Sequence, residues 1–281
     1  MWLKLSIYIA LLSLILAGCA ASTTPATSSM HVLSASAVAG QTIVGDGFVP
    51  SRDGFSFKNY GRAAGVINLT APDMQRLFGD VVCVGELSQT CALIPAARIW
   101  MEEINRAMQT GHCEGMAVLS QYFYYGVLKP TQFGAQHVSQ LTLDDNPLLQ
   151  REIAYWWATQ ATYPTRSQRI VSDPNAVVSL LRDGLAADAD FAKLYTLGIY
   201  LADFSSGHTV TPIAVRDIDA THAGIEIYDN NLPNETHEII VDTQQNSWEY
   251  TATSLSGKAV KYHGDAHSKN LELTAVSYTH L

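Results

Sequence analysis

Two residues stand where their types and surroundings allow nucleophilic chemistry: Cys113, in Gly111-His112-Cys113-Glu114-Gly115, and His208, in Ser205-Ser206-Gly207-His208-Thr209. Cys113 opens a segment running to Tyr125 in which Met116, Ala117, Leu119, Ser120 and Phe123 recur on adjoining helical faces, so the thiol falls in a first helical turn. The positive end of the helix dipole favours a thiolate there, and with a histidine nearby such sites bring a cysteine from about 8.5 down to roughly 3.5 to 7.5. Gly111 and Gly115 on either side leave room for a substrate backbone near the sulfur. His208 opens a strand directly after a glycine-containing turn, which puts its ring on a rigid element with an open approach. A third group must orient the imidazole and hold its tautomer. Pairing of a 209–215 strand with a 224–228 strand brings Asp229 back beside His208, with Asn230 as the alternative. His112, His137, His222 and His237 read as surface histidines. His112, Cys113 and His208 lack a fourth ligand and metal-binding spacing, so neither metal nor other cofactor is expected.

The elements that must position these residues follow from hydrophobic periodicity. Thr70, Pro72 and Asp73 start a short helix that ends near Gly79. A longer one spans Pro95 to Gln109, with proline in its first turn. Leu148 to Gln160 follows Pro147, and Asp173-Pro174 cap a further helix through Leu181 that stops at Asp183-Gly184. Beyond Ala187 the pattern turns to short β-branched and aromatic runs, Tyr195–Leu201, Thr209–Val215, Gly224–Tyr228, His237–Val241 and Trp248–Ala252. Helices first and an antiparallel sheet second predicts an α+β fold.

The whole chain sets the context. Its 281 residues, 47% of them hydrophobic, are enough to bury a full core. A net charge of −9 without any Lys/Arg cluster argues against nucleic acid as a partner. Lys4, the apolar run Leu5 to Leu16 and Leu16-Ala17-Gly18-Cys19 have the proportions of a secretion signal rather than a membrane span. The tetrapeptide resembles the lipobox of bacterial lipoproteins, which implies removal of residues 1–18 and acylation of Cys19. The membrane then becomes a partner through the lipid, in the cell envelope at an outer membrane or cell surface. The Ser/Thr/Ala-rich stretch that follows predicts a tether over 19–54, with the folded part starting near Phe55. In an oxidising compartment Cys83 and Cys91, eight apart across a glycine-containing loop, are placed to form a disulfide. Cys113 is left alone. Residues 275–281 read as a non-native or truncated end.

The order Gly111-His112-Cys113-Glu114-Gly115-Met116-Ala117 at a helix start, His208-Thr209-Val210-Thr211-Pro212 on a strand, then Ile227-Tyr228-Asp229-Asn230 resembles the papain-like cysteine peptidase superfamily. The likeness is greatest to bacterial branches related to bacteriocin-processing peptidases and spans about 78–231. It implies a papain-like domain over 55–274, a helical N-terminal half packed on a C-terminal antiparallel sheet. It also implies a peptide or protein substrate cleaved by a Cys113-His208-Asp229 triad. Papain-like enzymes carry an oxyanion-stabilising Gln six positions before the nucleophile; Ala107 stands there, which leaves Gln109 or Asn105 beside the Cys113 N–H. The nucleophile region also lacks the aromatic residue that usually follows the cysteine in papain-like enzymes. Two other functions use the same residues: a papain-like module that binds or displays without cleaving, and a transglutaminase-like acyl transferase.

Overall fold

The computed structural model describes residues 42–84, 91–186 and 194–276. The signal segment, the Cys19 lipid site and most of the expected tether lie outside the described residues. Six described helices form where the local chemistry starts them: α1 (Pro50–Asp53), α2 (Ala71–Phe78), α3 (Pro95–Ala107), α4 (Cys113–Tyr124), α5 (Pro147–Thr159) and α6 (Pro174–Ala186). Thr70 and Asp73 close a capping box on α2, and the Asn146 side chain accepts from Leu149 N at the start of α5. None of the described helices is long and apolar enough to cross a membrane.

Helix α4 is covered on every side: each residue from Glu114 to Phe123 is buried. A helix apolar or small all round belongs inside a protein rather than on its surface. One side packs on α5, where Met116, Leu119 and Tyr122 join Ile153 and Trp156 in one core. The other side meets the sheet, and Ser120 Oγ lies 3.0 Å from Thr211 Oγ1. Gly115 makes the helix–helix contact feasible, since a Cβ there would stand 2.0 Å from the Ile153 carbonyl oxygen. The two glycines beside Cys113 therefore serve the fold rather than access to the sulfur. Gly115→Ala is expected to destabilise the protein by about 1–3 kcal/mol, the usual cost of overpacking, read as a fall in urea midpoint; an unchanged midpoint would contradict this packing.

Nine antiparallel strands among the described residues make one sheet: β1 (Ile43–Gly45), β2 (Arg169–Val171), β3 (Tyr195–Tyr200), β4 (Gly207–Asp217), β5 (His222–Tyr228), β6 (Thr236–Asp242), β7 (Ser247–Thr253), β8 (Ala259–Asp265) and β9 (Leu271–Ala275). Their order is β2-β9-β3-β4-β5-β6-β7-β8, with β1 paired to β4. Val177 and Leu181 of α6 bury against Val210, Ile225 and Leu273 to form a second core. The fold is thus α+β.

Several boundaries differ from the sequence reading, each for a tertiary reason. The fold begins before Phe55: Ile43–Gly45 pairs with Ala214–Arg216, and Phe48 is buried against Ile213 and Tyr228. The expected separation of helices from strands is incomplete, because β1 precedes the first helix and β2 lies between α5 and α6. Helix α6 runs through Gly184, which is itself buried; packing overrides a glycine's modest helix penalty. Strands β8 and β9 extend the sheet, and Ala275 pairs with Tyr195. The fold therefore reaches residue 276, beyond the expected limit at 274; residues 277–281 lie outside the described residues. Cys83 and Cys91 are joined, with Cα atoms 5.1 Å apart, a link that contributes about 2.5 kcal/mol by loop-closure entropy.

Candidate active site

Cys113 is the first residue of α4, half-buried, with a free thiol. The preceding turn is held by Gly111, whose φ of +144° suits glycine and whose Cβ position lies 3.2 Å from Asn59 Nδ2. Asn59 Oδ1 accepts from His112 N at 2.8 Å. Its Nδ2 donates to Asn231 Oδ1 at 2.9 Å, and its backbone N–H donates to the Asn230 carbonyl at 2.6 Å. One buried amide therefore ties the nucleophile's turn to the segment that follows β5.

His208 lies near the start of β4 and is 5% exposed. The β4–β5 register pairs Thr211 with Tyr228, so the next residue, Asp229, returns beside His208. Asp229 Oδ1 lies 2.7 Å from His208 Nε2. The carboxylate is otherwise saturated: Asn231 N donates to Oδ1 at 2.8 Å and the Tyr250 hydroxyl to Oδ2 at 2.7 Å. The Cys113 side chain is the other group that acts on this ring, raising it together with Asp229. With Nε2 engaged by Asp229, Nδ1 is the ring nitrogen left for another partner.

The electrostatics follow from this contact chain. Burial works against a charge on His208, but Asp229 and the Cys113 sulfur outweigh it and push the ring up to about 10. Burial would raise Asp229, yet the His208 ring, Tyr250 and Asn231 hold it below the usual carboxylate range. Asp229 both fixes the ring and stabilises its positive charge. Tyr250, pushed up by burial and by Asp229, stays a neutral donor.

Asn230 takes a different part. Its Nδ2 donates to the Cys113 carbonyl at 3.1 Å and to the Thr209 carbonyl at 3.0 Å, so it joins the start of α4 to β4, while Asp229 meets the imidazole. Asn105 is engaged by its neighbours: its Nδ2 donates to the Leu69 carbonyl and its Oδ1 accepts from Leu69 N. Gln109 is exposed and lines an open cleft with Gly61, Arg62, Glu102 and Arg106. Neither is hydrogen-bonded to Cys113 among the described residues, which leaves the amides at the start of α4 as the nearest donors by chain position.

His112 is a buried residue rather than a surface one, 1% exposed. Its ring stacks on Tyr60 at 4.1 Å between centroids, with Nδ1 2.7 Å from the Tyr60 carbonyl oxygen and Nε2 2.9 Å from Asn68 Oδ1. Burial, against the Tyr60 carbonyl, pushes it down to about 4. It is neutral and committed to this loop. His137 is exposed, and His222 and His237 are partly exposed.

Sequence reasoning did not single out Asn59, Asn231, Tyr250 or Glu114. No local pattern marks the first three, because their partners lie far along the chain. Glu114 carried a signal, a carboxylate inside an otherwise apolar and small helical run. It is 5% exposed, accepts from Thr196 Oγ1 at 3.1 Å and is pushed up to about 7 by burial. Compared with known proteins, the chain matches no family model, and neither a curated protein nor a solved structure matches it.

Proposed function

We propose that this chain is a lipid-anchored, exported cysteine peptidase of papain-like type, with Cys113 as nucleophile, His208 as proton carrier and Asp229 as the group that orients the ring. The observation that carries the reading is the buried 2.7 Å hydrogen bond between His208 and Asp229, with the Cys113 side chain acting on the same ring. His208, held charged by Asp229 and Cys113, keeps the proton while Sγ attacks a peptide carbonyl carbon. The ring's Nδ1–H then protonates the leaving amine as the C–N bond breaks, which leaves a thioester on Cys113. Water, deprotonated by the neutral ring, hydrolyses that thioester and restores the thiol. Negative charge on the carbonyl oxygen falls at the N-terminal end of α4, where unpaired backbone N–H groups point outward. The secretion signal and lipobox-like tetrapeptide support a placement in the cell envelope, where a peptide or protein is the substrate within reach.

Iodoacetamide labelling of Cys113 at pH 6 tests the reading. Free cysteine is almost wholly protonated there, so a sulfur paired with His208 is expected to react at least about thirtyfold faster. A rate equal to that of free cysteine would remove the basis of the proposal. The position of Asn105, bound to Leu69, favours one rival, a papain-like module that binds without cleaving. Fast labelling with no new N-terminus released from any peptide in a mixed library would support that rival.

A further inference from the structure

Glu114 occupies the position between the nucleophile and the helix–helix contact at Gly115, and its carboxyl turns towards the sheet. Thr196 Oγ1 donates to it at 3.1 Å, and Thr196 and Thr209 both favour its charged form. The strand register explains why both reach it. Gly198 pairs with Thr209, while Thr196 pairs with Thr274 and Gly198 with Glu272, so these positions share the face that looks at α4. Gly198 has no side chain, and the Tyr200 ring packs where its Cβ would stand. Thr209 directly follows His208, as Glu114 directly follows Cys113.

We propose that Glu114 is a positioning residue for the Cys113–His208 pair, clamping the first turn of α4 to the strand residue after His208, and that the clamp responds to the protonation of its carboxyl. The proposal rests on the reading above only in taking Cys113 as the nucleophile. Burying an unpaired carboxyl costs several kcal/mol, and two threonine donors offset that cost only if they have an acceptor to meet. The groups that face Glu114 are few and named. Arg169 of β2 favours its charge and Glu272 of β9 opposes it. Glu272 is itself raised by burial and hydrogen-bonded by Thr274 and Tyr200. Cys113 precedes it on α4, and Tyr200 of β3 is raised by the charges of both Glu114 and Cys113. α5 meets the turn with the Ile153 main chain. Since burial holds the carboxyl near 7, the ionised form appears within the neutral range at the residue next to Cys113.

The test uses the full chain with 15N-histidine, the His208 ring signals being identified by their loss in His208→Gln. The wild type is expected to show a step in those signals with a midpoint near 7, absent from Glu114→Gln, which keeps an acceptor for both threonines but has no charge to gain. Alkylation of Cys113 in Glu114→Gln should match the wild type at low pH and exceed it by about threefold above about pH 8. Glu114→Ala should be about tenfold slower throughout, because the acceptor is gone and the turn loosens. A step that persists in Glu114→Gln, or Gln and Ala variants that behave alike, would overturn the proposal. If the step behaves as expected while Cys113 labels no faster than free cysteine, the clamp stands and the peptidase reading falls.

Discussion

Replacing His208 with glutamine is expected to reduce the pH 6 alkylation rate of Cys113 to that of free cysteine, and to lower cleavage of any accepted peptide by about 10²–10⁴-fold. The ring is the group coupled to the Cys113 side chain whose protonation changes in the proposed reaction. Without it, the helix dipole alone is left to favour a charged sulfur, a contribution of about 1 kcal/mol or less at a half-exposed site. Glutamine is chosen because it fills similar space and can still donate to Asp229, so a folded variant with a slow thiol isolates the chemistry. Circular dichroism and the alkylation rate, measured on the same sample, decide the matter. A folded His208→Gln protein that labels as fast as the wild type would show that the sulfur's reactivity has another source.

The second large effect concerns Asp229, which is fully buried and holds three donors, His208 Nε2, Asn231 N and the Tyr250 hydroxyl. Asp229→Ala leaves a buried imidazole and a buried phenol without their acceptor. Breaking one side of such a pair costs about 3–5 kcal/mol, a fall in Tm on the order of 10 °C for a domain of this size. The pH dependence carries a sign that separates the two partners. His208 is raised in the folded protein, to about 10, so its contribution is complete below its unfolded value and is lost as pH rises through about 10. Asp229 is lowered, so its contribution is complete above the unfolded carboxylate value and is lost as pH falls through its folded one. Wild-type stability should therefore weaken at both ends of the range, and Asp229→Ala should remove both limbs at once. Asp229→Asn keeps a shape that can accept from the ring but loses the charge. It should cost less stability than alanine and pull the upper limb down from about 10. Asn and Ala variants with equal upper limbs would mean that Asp229 acts by shape alone.

Much of the site was legible in the sequence because its chemistry depends on short-range rules. A thiol at the start of an apolar, small-residue run is placed at a helix N-terminus by periodicity alone, and α4 does begin at Cys113. His208 at a strand's opening and Asp229 after the next strand follow from antiparallel pairing, which returns the chain beside itself. The Cys83–Cys91 link followed from an eight-residue spacing. At the sequence level Asp229 comes first and Asn230 stays as the alternative, because antiparallel pairing dictates only that one of them returns next to the ring.

Other features were decided only when distant segments met. Asn59 holds Asn231 across 172 residues, and β1 is a strand solely because β4 offers it a free edge. The same three residues read alone as tether. His112 looks like a surface histidine until Tyr60 and Asn68, more than 40 residues earlier, close over it. Gly115 appeared to leave space for a substrate, whereas the space belongs to the Ile153 carbonyl of α5. Dipoles, caps, turns and periodicity act within a few residues, so the sequence by itself determined which groups could react and which elements carry them. Burial and hydrogen-bond partnership depend on which surfaces come together, so tertiary structure alone decided which of Asp229 and Asn230 meets the ring, which histidine stays neutral, and that Glu114 lies under the nucleophile.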